Sequence, residues 1–598
     1  MRQRYNAMVE MLPRLRAKPG AALREVLAAG YGKADLRADV MAGLVVGVVA
    51  LPLSMALAIA SGVPPQHGLY TAIVAGALIA LFGGSRVQVS GPTAAFVVLL
   101  APVSARYGVG GLCVASLVAG VMLVGMGAAG FGSLLQFVPH PVTTGFTAGI
   151  AVVIGTLQVK DFFGLTVEKM PEHYVERVVA LAEAAPTAHL PDLLIGAFTL
   201  AVLIVWPRVN KRIPAPLVAL TAGALIAFAA TKLLDGVHID TIASRFTYVV
   251  DDVTRHGVPQ APPWPVLPWN LPGADGAPLG LSLKLVRDIL PSAFAIAMLG
   301  AIESLLSATV ADGMIGARHD SNAELLGQGI GNIVAPFFGG FAATGAIART
   351  ATGVRSGARS PIAAIVHALF VLTAVLVIAP LVGYLPMASL AALLLIVAWN
   401  MSEVRHFGHI LRVAPRADVV VLLACFALTV IFDMVISVTA GVMLAALLFM
   451  RRMADISGGK LEEGQSHVHG PLPKGVLQYS IDGPLFFGAA QKAMSALHDV
   501  KRTARVVIIE IVDVPAMDAT GLVALESALT KLWKDKAKVI IAGAQAQPRR
   551  VLERAGLVPQ PGKLRYADTL GEAIEIARAT VADQGASQPP SAEPAQPV

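Results

Sequence analysis

The chain has 598 residues, 55% of them hydrophobic and only 14% charged. A soluble globular protein carries about 25% charged residues, so this composition excludes a mostly water-exposed chain and places most of it in lipid. The formal net charge of +7 then describes orientation in a membrane rather than nucleic-acid binding.

Charged residues crowd the two ends and leave the middle nearly bare. Residues 1–39 read as a basic cytoplasmic tail, with Arg2, Arg4, Arg14 and Arg16 at its start. No cleavable signal peptide is expected, because the first apolar run begins near Val40 behind that tail. About 20 apolar residues cross a bilayer as a helix, fewer where the helix is broken. On that rule spans fall near 40–60, 69–83, 92–105, 110–130, 141–159, 191–207 and 214–234. After a long loop they continue near 288–311, 324–339, 346–357, 360–380, 385–400, 417–432 and 434–450. The expectation is fourteen spans, as seven plus seven, in a transmembrane domain over 40–452.

Loop charge supports the count. With the amino end inside, inner loops receive Arg86, Arg208, Lys211, Arg212, Arg318, Arg355, Arg359, Arg405, Arg412, Arg416, Arg451 and Arg452. The short outer turns at 61–68, 340–345, 381–384 and 433 hold no Lys or Arg, as the positive-inside rule requires. Both termini are then cytoplasmic. The outer segment 160–190 and the long outer loop 235–287 do carry basic residues, but long loops follow the rule poorly. Trp264 and Trp269 in that loop read as interfacial anchors. The lone Cys113 and Cys425 read as packed thiols rather than a disulfide or metal site.

Two segments are too small, polar and glycine-rich for ordinary spans. One runs from Gly83-Gly84 through Ser90-Gly91-Pro92-Thr93 into span 3; the other runs from Gly339-Gly340 through Thr344-Gly345-Ala346 into span 10. Pro92 suits a first helical turn, where its missing N–H is no loss. In a bilayer, non-helical backbone survives only against protein or a water-filled cavity. Matching interrupted segments in two halves point to a midplane site in an inverted-repeat transporter. Helix amino ends at such a site attract anions through free N–H groups and the dipole, and Arg349 follows within a turn.

Span 8 holds Glu303 about ten residues inside, with Ser307 one turn on. An acid at bilayer depth is a functional hypothesis by default. Protonated, Glu303 would carry a coupled proton; ionised, it would hold Na⁺ with neighbouring oxygens; the ordinary alternative is a salt bridge to Arg349. Asp312, nearer the inner face, reads as solvated, and Asp433 as a turn residue.

After a polar linker at 453–474 the composition becomes that of a soluble domain, over 475–582. Strand-like runs at 476–481, 506–511 and 539–543 alternate with helical runs at 488–499, 522–533 and 549–555, which argues a small α/β domain. Residues 583–598 read as a disordered tail by composition.

Nearly the whole chain, from about 35 to 580, resembles the sulfate permease (SulP) family of anion transporters. The resemblance rests on Pro65-Gln66-His67-Gly68-Leu69-Tyr70-Thr71-Ala72, Gly83-Gly84-Ser85-Arg86, Ser90-Gly91-Pro92-Thr93, Glu303-Ser304-Leu305-Leu306, Gly339-Gly340 and Ala348-Arg349-Thr350. His67 stands where the family often has Tyr, outside the proposed site. Through Asp518-Ala519-Thr520-Gly521 the carboxy-terminal domain resembles a STAS domain. The resemblance implies fourteen spans as two inverted repeats divided into core and gate, a cytoplasmic STAS domain, elevator-like alternating access and a homodimer. It implies an anion site of Ser90, Gly91, Pro92 and Thr93 facing Thr344, Gly345, Ala346, Ile347, Ala348 and Arg349. It also implies a coupling-ion site at Glu303 and Ser307. In phosphorylation-switch STAS relatives the acceptor is a Ser where Thr520 stands here; the alternative is that Asp518 or Thr520 caps the following helix.

The functional expectation is a secondary active transporter of small anions (sulfate, bicarbonate or a C4-dicarboxylate) in the inner membrane, coupled to H⁺ or Na⁺. No other cofactor is expected, and a cytoplasmic protein partner through the STAS-like domain is. Other readings are an uncoupled anion channel or exchanger, a nucleobase transporter of the same broad fold, and a membrane-tethered regulatory scaffold. An enzyme is disfavoured: the sequence has no Gly-x-x-x-x-Gly-Lys-Ser/Thr, His-Glu-x-x-His or Gly-x-Gly-x-x-Gly motif and no cysteine pair at metal spacing.

Overall fold

Proline and short polar side chains set where the membrane helices begin. The computed structural model describes residues 18–586, apart from 136–137, 168–169, 172, 211–212, 235, 251–252, 433, 464, 467–469, 487–489 and 495–503. The expectations for Arg2, Arg4, Arg14, Arg16, Lys211, Arg212 and Asp433, and for most of the 488–499 helix, lie outside the described residues. A short helix α1 (Ala21–Ala28) precedes α2 (Lys33–Ala60) and α3 (Pro65–Phe82). Strand β1 (Ser90–Gly91) leads into α4 (Ala94–Ala128), followed by α5 (His140–Phe163), α6 (Tyr174–Glu183), α7 (Leu190–Val209) and α8 (Ala215–Leu233). Helices α3, α5, α7 and α8 carry Pro in their first turn, where no hydrogen bond is lost.

The second half has the same order. After the hairpin β2 (Thr247–Val250) and β3 (Val253–His256) come α9 (Leu283–Ile315), α10 (Ser321–Val334), strand β4 (Thr344–Gly345) and α11 (Ile347–Arg355). Then follow α12 (Ile362–Val382), α13 (Met387–Ser402), α14 (Val404–Val413), α15 (Arg416–Ile431) and α16 (Met434–Ile456). Ser282 Oγ accepts from the Leu285 amide at the start of α9, and Asp320 Oδ1 accepts from the Asn322 and Ala323 amides at the start of α10. Both are N-caps. Among the described residues ten helices are long and apolar enough to cross a membrane. Shorter α10, α11 and α15, and the division of α4, bring the segments to the expected fourteen. Within α4 the helical geometry breaks at Gly108 (φ 68°, ψ −167°), a backbone state open to glycine. Expected spans 3 and 4 meet there.

Packing sorts the helices into two groups. Helices α2, α3, α4, α9, α10, α11 and α12 pack on one another, while α5, α7, α8, α13 and α15 form a second bundle. This is the arrangement that a core and a gate describe.

Several local expectations change. Helix α14 was not expected; it follows α13 at Glu403, which takes a left-handed conformation (φ 41°). Asp312 is not merely solvated: its Oδ2 accepts from the His319 amide (2.9 Å) and lies 2.7 Å from His319 Nδ1, closing the α9–α10 turn. Trp264 is exposed, and Trp269 packs edge-on against Phe337. The cysteines do not change: both are buried free thiols, as expected. At the start of α2, Asp39 accepts from Tyr31 Oη, Ser360 Oγ and the Arg359 and Ser360 amides. Burial, and next the bond to Asp39, push the Tyr31 hydroxyl up to about 12.

The C-terminal unit, from Leu444, contains β5 (Gly458–Glu463), β6 (Val476–Asp482), β7 (Val506–Asp513), α17 (Ala519–Lys534), β8 (Lys538–Ala542), α18 (Ala546–Arg554), β9 (Leu564–Ala567) and α19 (Leu570–Ala586). Its sheet runs β9-β8-β7-β6-β5, parallel except for β5 against β6. Strand β5 falls inside the expected linker 453–474: a run as polar as Gly-Gly-Lys-Leu-Glu-Glu is extended because β6 offers it an open edge. Helix α19 continues to Ala586, four residues into the expected tail.

Candidate functional site

The two broken segments meet. Strands β1 and β4 pair antiparallel, Ser90 opposite Gly345 and Gly91 opposite Thr344, and the Ala346 amide donates to the Val89 carbonyl (2.9 Å). Helix α4 leaves this joint after Thr93, and α11 after Ala346. At neither N-cap, Thr93 or Ala346, does the side chain accept from the first-turn amides, so among the described residues both amino ends keep N–H groups that no cap satisfies. Pro92, Thr93, Ala94 and Ala95 line one wall of a cavity of about 420 Å³, and Ala346, Ile347, Ala348 and Arg349 line another. Glu303 from α9, and His140, Thr143, Thr144 and Thr147 from α5, complete its polar lining with Asn400 and Glu403.

Arg349 is 2% exposed. Its Nη2 donates to the Pro92 carbonyl, tying α11 to the opposite wall. Among the described residues its Nε and Nη1 have no hydrogen-bond partner, and the guanidinium lies against Gly91, where a Cβ would come within 2.7 Å of Nη1. Gly91 is therefore a matter of space for the cation. Glu303 Oε2 accepts from Thr93 Oγ1 at 3.0 Å, and among the described residues no ion pair joins Glu303 to Arg349. The salt-bridge alternative is not what the structure shows. A cavity with two helix amino ends, a desolvated guanidinium and a nearby carboxylate has the chemistry to hold an anion beside a cation or proton.

Not every expected residue reaches the cavity. Ser90, Gly91, Thr344 and Gly345 form the β joint behind it. Ser90 Oγ accepts from Gln328 Nε2 (3.1 Å), and Thr344 Oγ1 donates to the Gly300 carbonyl (2.9 Å). Ser307 is fully buried with its hydroxyl 3.3 Å from Thr350 Oγ1, so the side chain one turn beyond Glu303 serves the packing of α11. In the C-terminal unit Asp518 Oδ1 accepts from the Gly521 amide (2.8 Å) as the N-cap of α17, and Thr520 is exposed in its first turn.

The sequence reading missed a polar stripe on α10. Glu324, Gln328 and Asn332 recur every four residues and therefore share a face. Glu324 Oε2 accepts from the Gly84 (2.9 Å) and Ser85 (3.0 Å) amides; Oε1 accepts from Gln88 Nε2 (3.0 Å), Gln328 Nε2 (2.9 Å) and Ser304 Oγ (3.2 Å). Asn332 Nδ2 donates to the Ala343 carbonyl, and its Oδ1 accepts from the Ala343 amide. One stripe thus holds both broken segments. His67, taken as outside the site, also contributes: its Nδ1 donates to the Gly339 carbonyl at 2.6 Å. A carboxylate inside an otherwise apolar stretch was the available signal for Glu324.

Helices in this order around two opposed amino ends define a membrane transporter fold. Residues 36–425 match the sulfate permease family and residues 471–573 match the STAS domain; the chain belongs to the sulfate permease family and carries a C-terminal STAS domain. It is 40% identical over 540 residues to the putative sulfate transporter YvdB of Bacillus subtilis, covering 90% of this chain and 97% of that protein. It is 30% identical over 559 residues to the bicarbonate transporter BicA of Picosynechococcus, covering 88% and 91%. The structure of the murine Slc26a9 anion transporter superposes with a TM-score of 0.80, covering 96% of this chain and 95% of that one at 18% identity, a likeness of fold. The family is one of transporters, not enzymes.

Proposed function

We propose that the chain is a secondary active transporter of a small oxyanion, in the class of sulfate or bicarbonate, with a C4-dicarboxylate as the next candidate. Relatives named for sulfate and bicarbonate transport support the substrate class. The observation that carries the reading is the convergence of the α4 and α11 amino ends, Arg349 and Glu303 on one cavity. The anion sits between the two amino ends with Arg349 alongside, and Glu303, held by Thr93, takes up the coupled H⁺ or Na⁺. Binding the cation lowers the cost of an anion near a carboxylate, so the two travel together. The β1–β4 joint lets both walls move as one body against the second bundle, as elevator-like exchange between the two faces requires. The loop charges favour an inner-membrane protein with both termini cytoplasmic. A homodimer, and a protein partner for the STAS domain, belong to the same reading.

The test is uptake of labelled sulfate, bicarbonate and succinate into proteoliposomes under imposed H⁺ or Na⁺ gradients. Concentrative uptake of one of them that needs one gradient and disappears in Glu303→Gln is the expected result. Concentrative uptake that survives Glu303→Gln sinks the coupling role, and conductance without coupling favours a channel.

A further inference from the structure

Helix α14 (Val404–Val413) joins two membrane helices, α13 and α15, at an end that the loop-charge pattern assigns to the inner side. At the corner between α13 and α14, Glu403 takes a left-handed conformation (φ 41°). Such a residue ends a helix, so α14 does not continue the axis of α13. Four basic or ionisable side chains in ten residues, Arg405, His406, His409 and Arg412, make a place in the hydrocarbon core costly. The helix therefore lies where the bilayer meets the cytoplasm.

Helical spacing divides its residues into two faces. Val404, Phe407 and Leu411 fall at i, i+3 and i+7 and share an apolar face with Ile410 beside them. Arg405, His409 and Arg412 fall at i, i+4 and i+7 on the other face. Phe407 packs edge-on against Phe426 of α15, while Val404 and Leu411 stay exposed, as do Val420 and Leu423 on α15. The basic face is exposed along its length. Among the described residues no ion pair involves Arg405 or Arg412, and no acid stands between Glu403 and Asp418. Trp399, one turn before the corner, is 68% exposed, as an aromatic anchor at headgroup depth is. An apolar face, a basic face and a neighbouring interfacial tryptophan describe a helix lying in the membrane surface.

We propose that α14 is an interfacial helix that binds the anionic phospholipid headgroups of the inner leaflet through Arg405 and Arg412. Charge complementarity names the partner: a basic face beside an apolar one fits a negatively charged lipid surface, with the apolar side chains in the acyl boundary. The sidedness rests on the loop charges, and nothing in the proposal depends on what the protein carries. Lipid bound here has a route to the cavity of Arg349 and Glu303. Val397, Asn400 and Met401 of α13, and Glu403 at the corner, line that cavity. His406 of α14 also stands edge-on to His140 of α5, with ring centroids 5.1 Å apart, and His140 lines the same cavity. Headgroups held at α14 therefore fix one wall of the cavity against the bilayer.

Two measurements on the full-length protein test it, and neither needs transport. The first is thermal unfolding in detergent with added lipid, since a ligand that binds the folded state raises the melting temperature. Phosphatidylglycerol should raise it by several degrees more than phosphatidylcholine does. At about 1 M salt, where the Debye length falls to ~3 Å, that difference should vanish. Arg405→Gln/Arg412→Gln should melt near the parent in phosphatidylcholine and lose most of the phosphatidylglycerol gain, whereas Arg405→Lys/Arg412→Lys should keep it. No difference between the two lipids in the parent, or an equal gain in the Gln double variant, overturns the proposal. Loss of the gain in the Lys double variant also overturns it, because it points to a carboxylate on a protein surface fitted to the arginine forks. The second measurement leaves both arginines in place. Spin labels at Leu411→Cys and His409→Cys are compared in phosphatidylglycerol vesicles; native Cys113 and Cys425 are buried. The label at 411 should be the more accessible to dissolved oxygen, and the label at 409 the more accessible to a water-soluble nickel complex. Equal access of the nickel complex to both overturns the proposal.

Discussion

Glu303 and Glu324 are the same residue 21 positions apart, both in the apolar part of the chain, and their surroundings are opposite. Glu324 is 1% exposed and accepts five hydrogen bonds from α10, α9 and the 84–88 segment. Among the described residues Glu303 accepts one, from Thr93, and it faces a cavity. A buried carboxylate is tolerated when donors replace its water. One that lacks them is either neutral or waiting for a partner to arrive. Saturation marks Glu324 as an architectural acid, and it is the incompleteness of Glu303 that the proposed coupling role would use.

The comparison breaks or holds on four measurements. Glu324→Ala strips five donors of their acceptor at once, and each orphaned buried group costs about 1–3 kcal/mol. Loss of monodisperse protein in detergent is expected; a well-folded variant with a melting temperature near the parent's would end the architectural assignment. Glu303→Gln should do the reverse, leaving the melting temperature within a few degrees while concentrative uptake falls by at least tenfold. Arg349→Ala removes a charge-assisted donor, worth about 1.5–3 kcal/mol, so the anion's KM should rise by roughly ten- to a hundredfold with protein yield largely kept. If yield collapses while the KM of the remaining protein is unchanged, Arg349 is a strut rather than a ligand. Thr93→Val removes the hydrogen bond from Thr93 Oγ1 to Glu303 with little change of side-chain volume. At about 1 kcal/mol, a several-fold fall in coupled uptake is expected, read in the same vesicles.

Much of this was legible in the sequence because membrane helices are long apolar runs and glycine-rich interruptions stand out against them. The segments at 83–93 and 339–353 were readable as partners, and Arg349 and Glu303 as charged residues inside the apolar part of the chain, both of which line the cavity. What escaped was the direction of side chains. Ser307 shares a helix face with Glu303 by spacing, yet it turns to Thr350 because α11 packs there. The α10 stripe Glu324, Gln328, Asn332 is interleaved with glycines, and nothing local says that its donors and acceptors match two distant backbone segments. Strand β5 is extended only because β6 offers it an edge. In each case the deciding partner lies far along the chain.

The cross-strand joint has a further consequence. The Ser90–Gly345 and Gly91–Thr344 pairing fixes the α4 and α11 amino ends to one another, as the jaws of a caliper locked at one setting. The gap between the two sets of donor N–H groups is then a constant of the backbone. If the anion sits in that gap as proposed, discrimination among anions of different size falls to the side chains inside it, Thr93, Ile347 and Arg349, and a change of cargo requires new side chains there and no change in the joint itself.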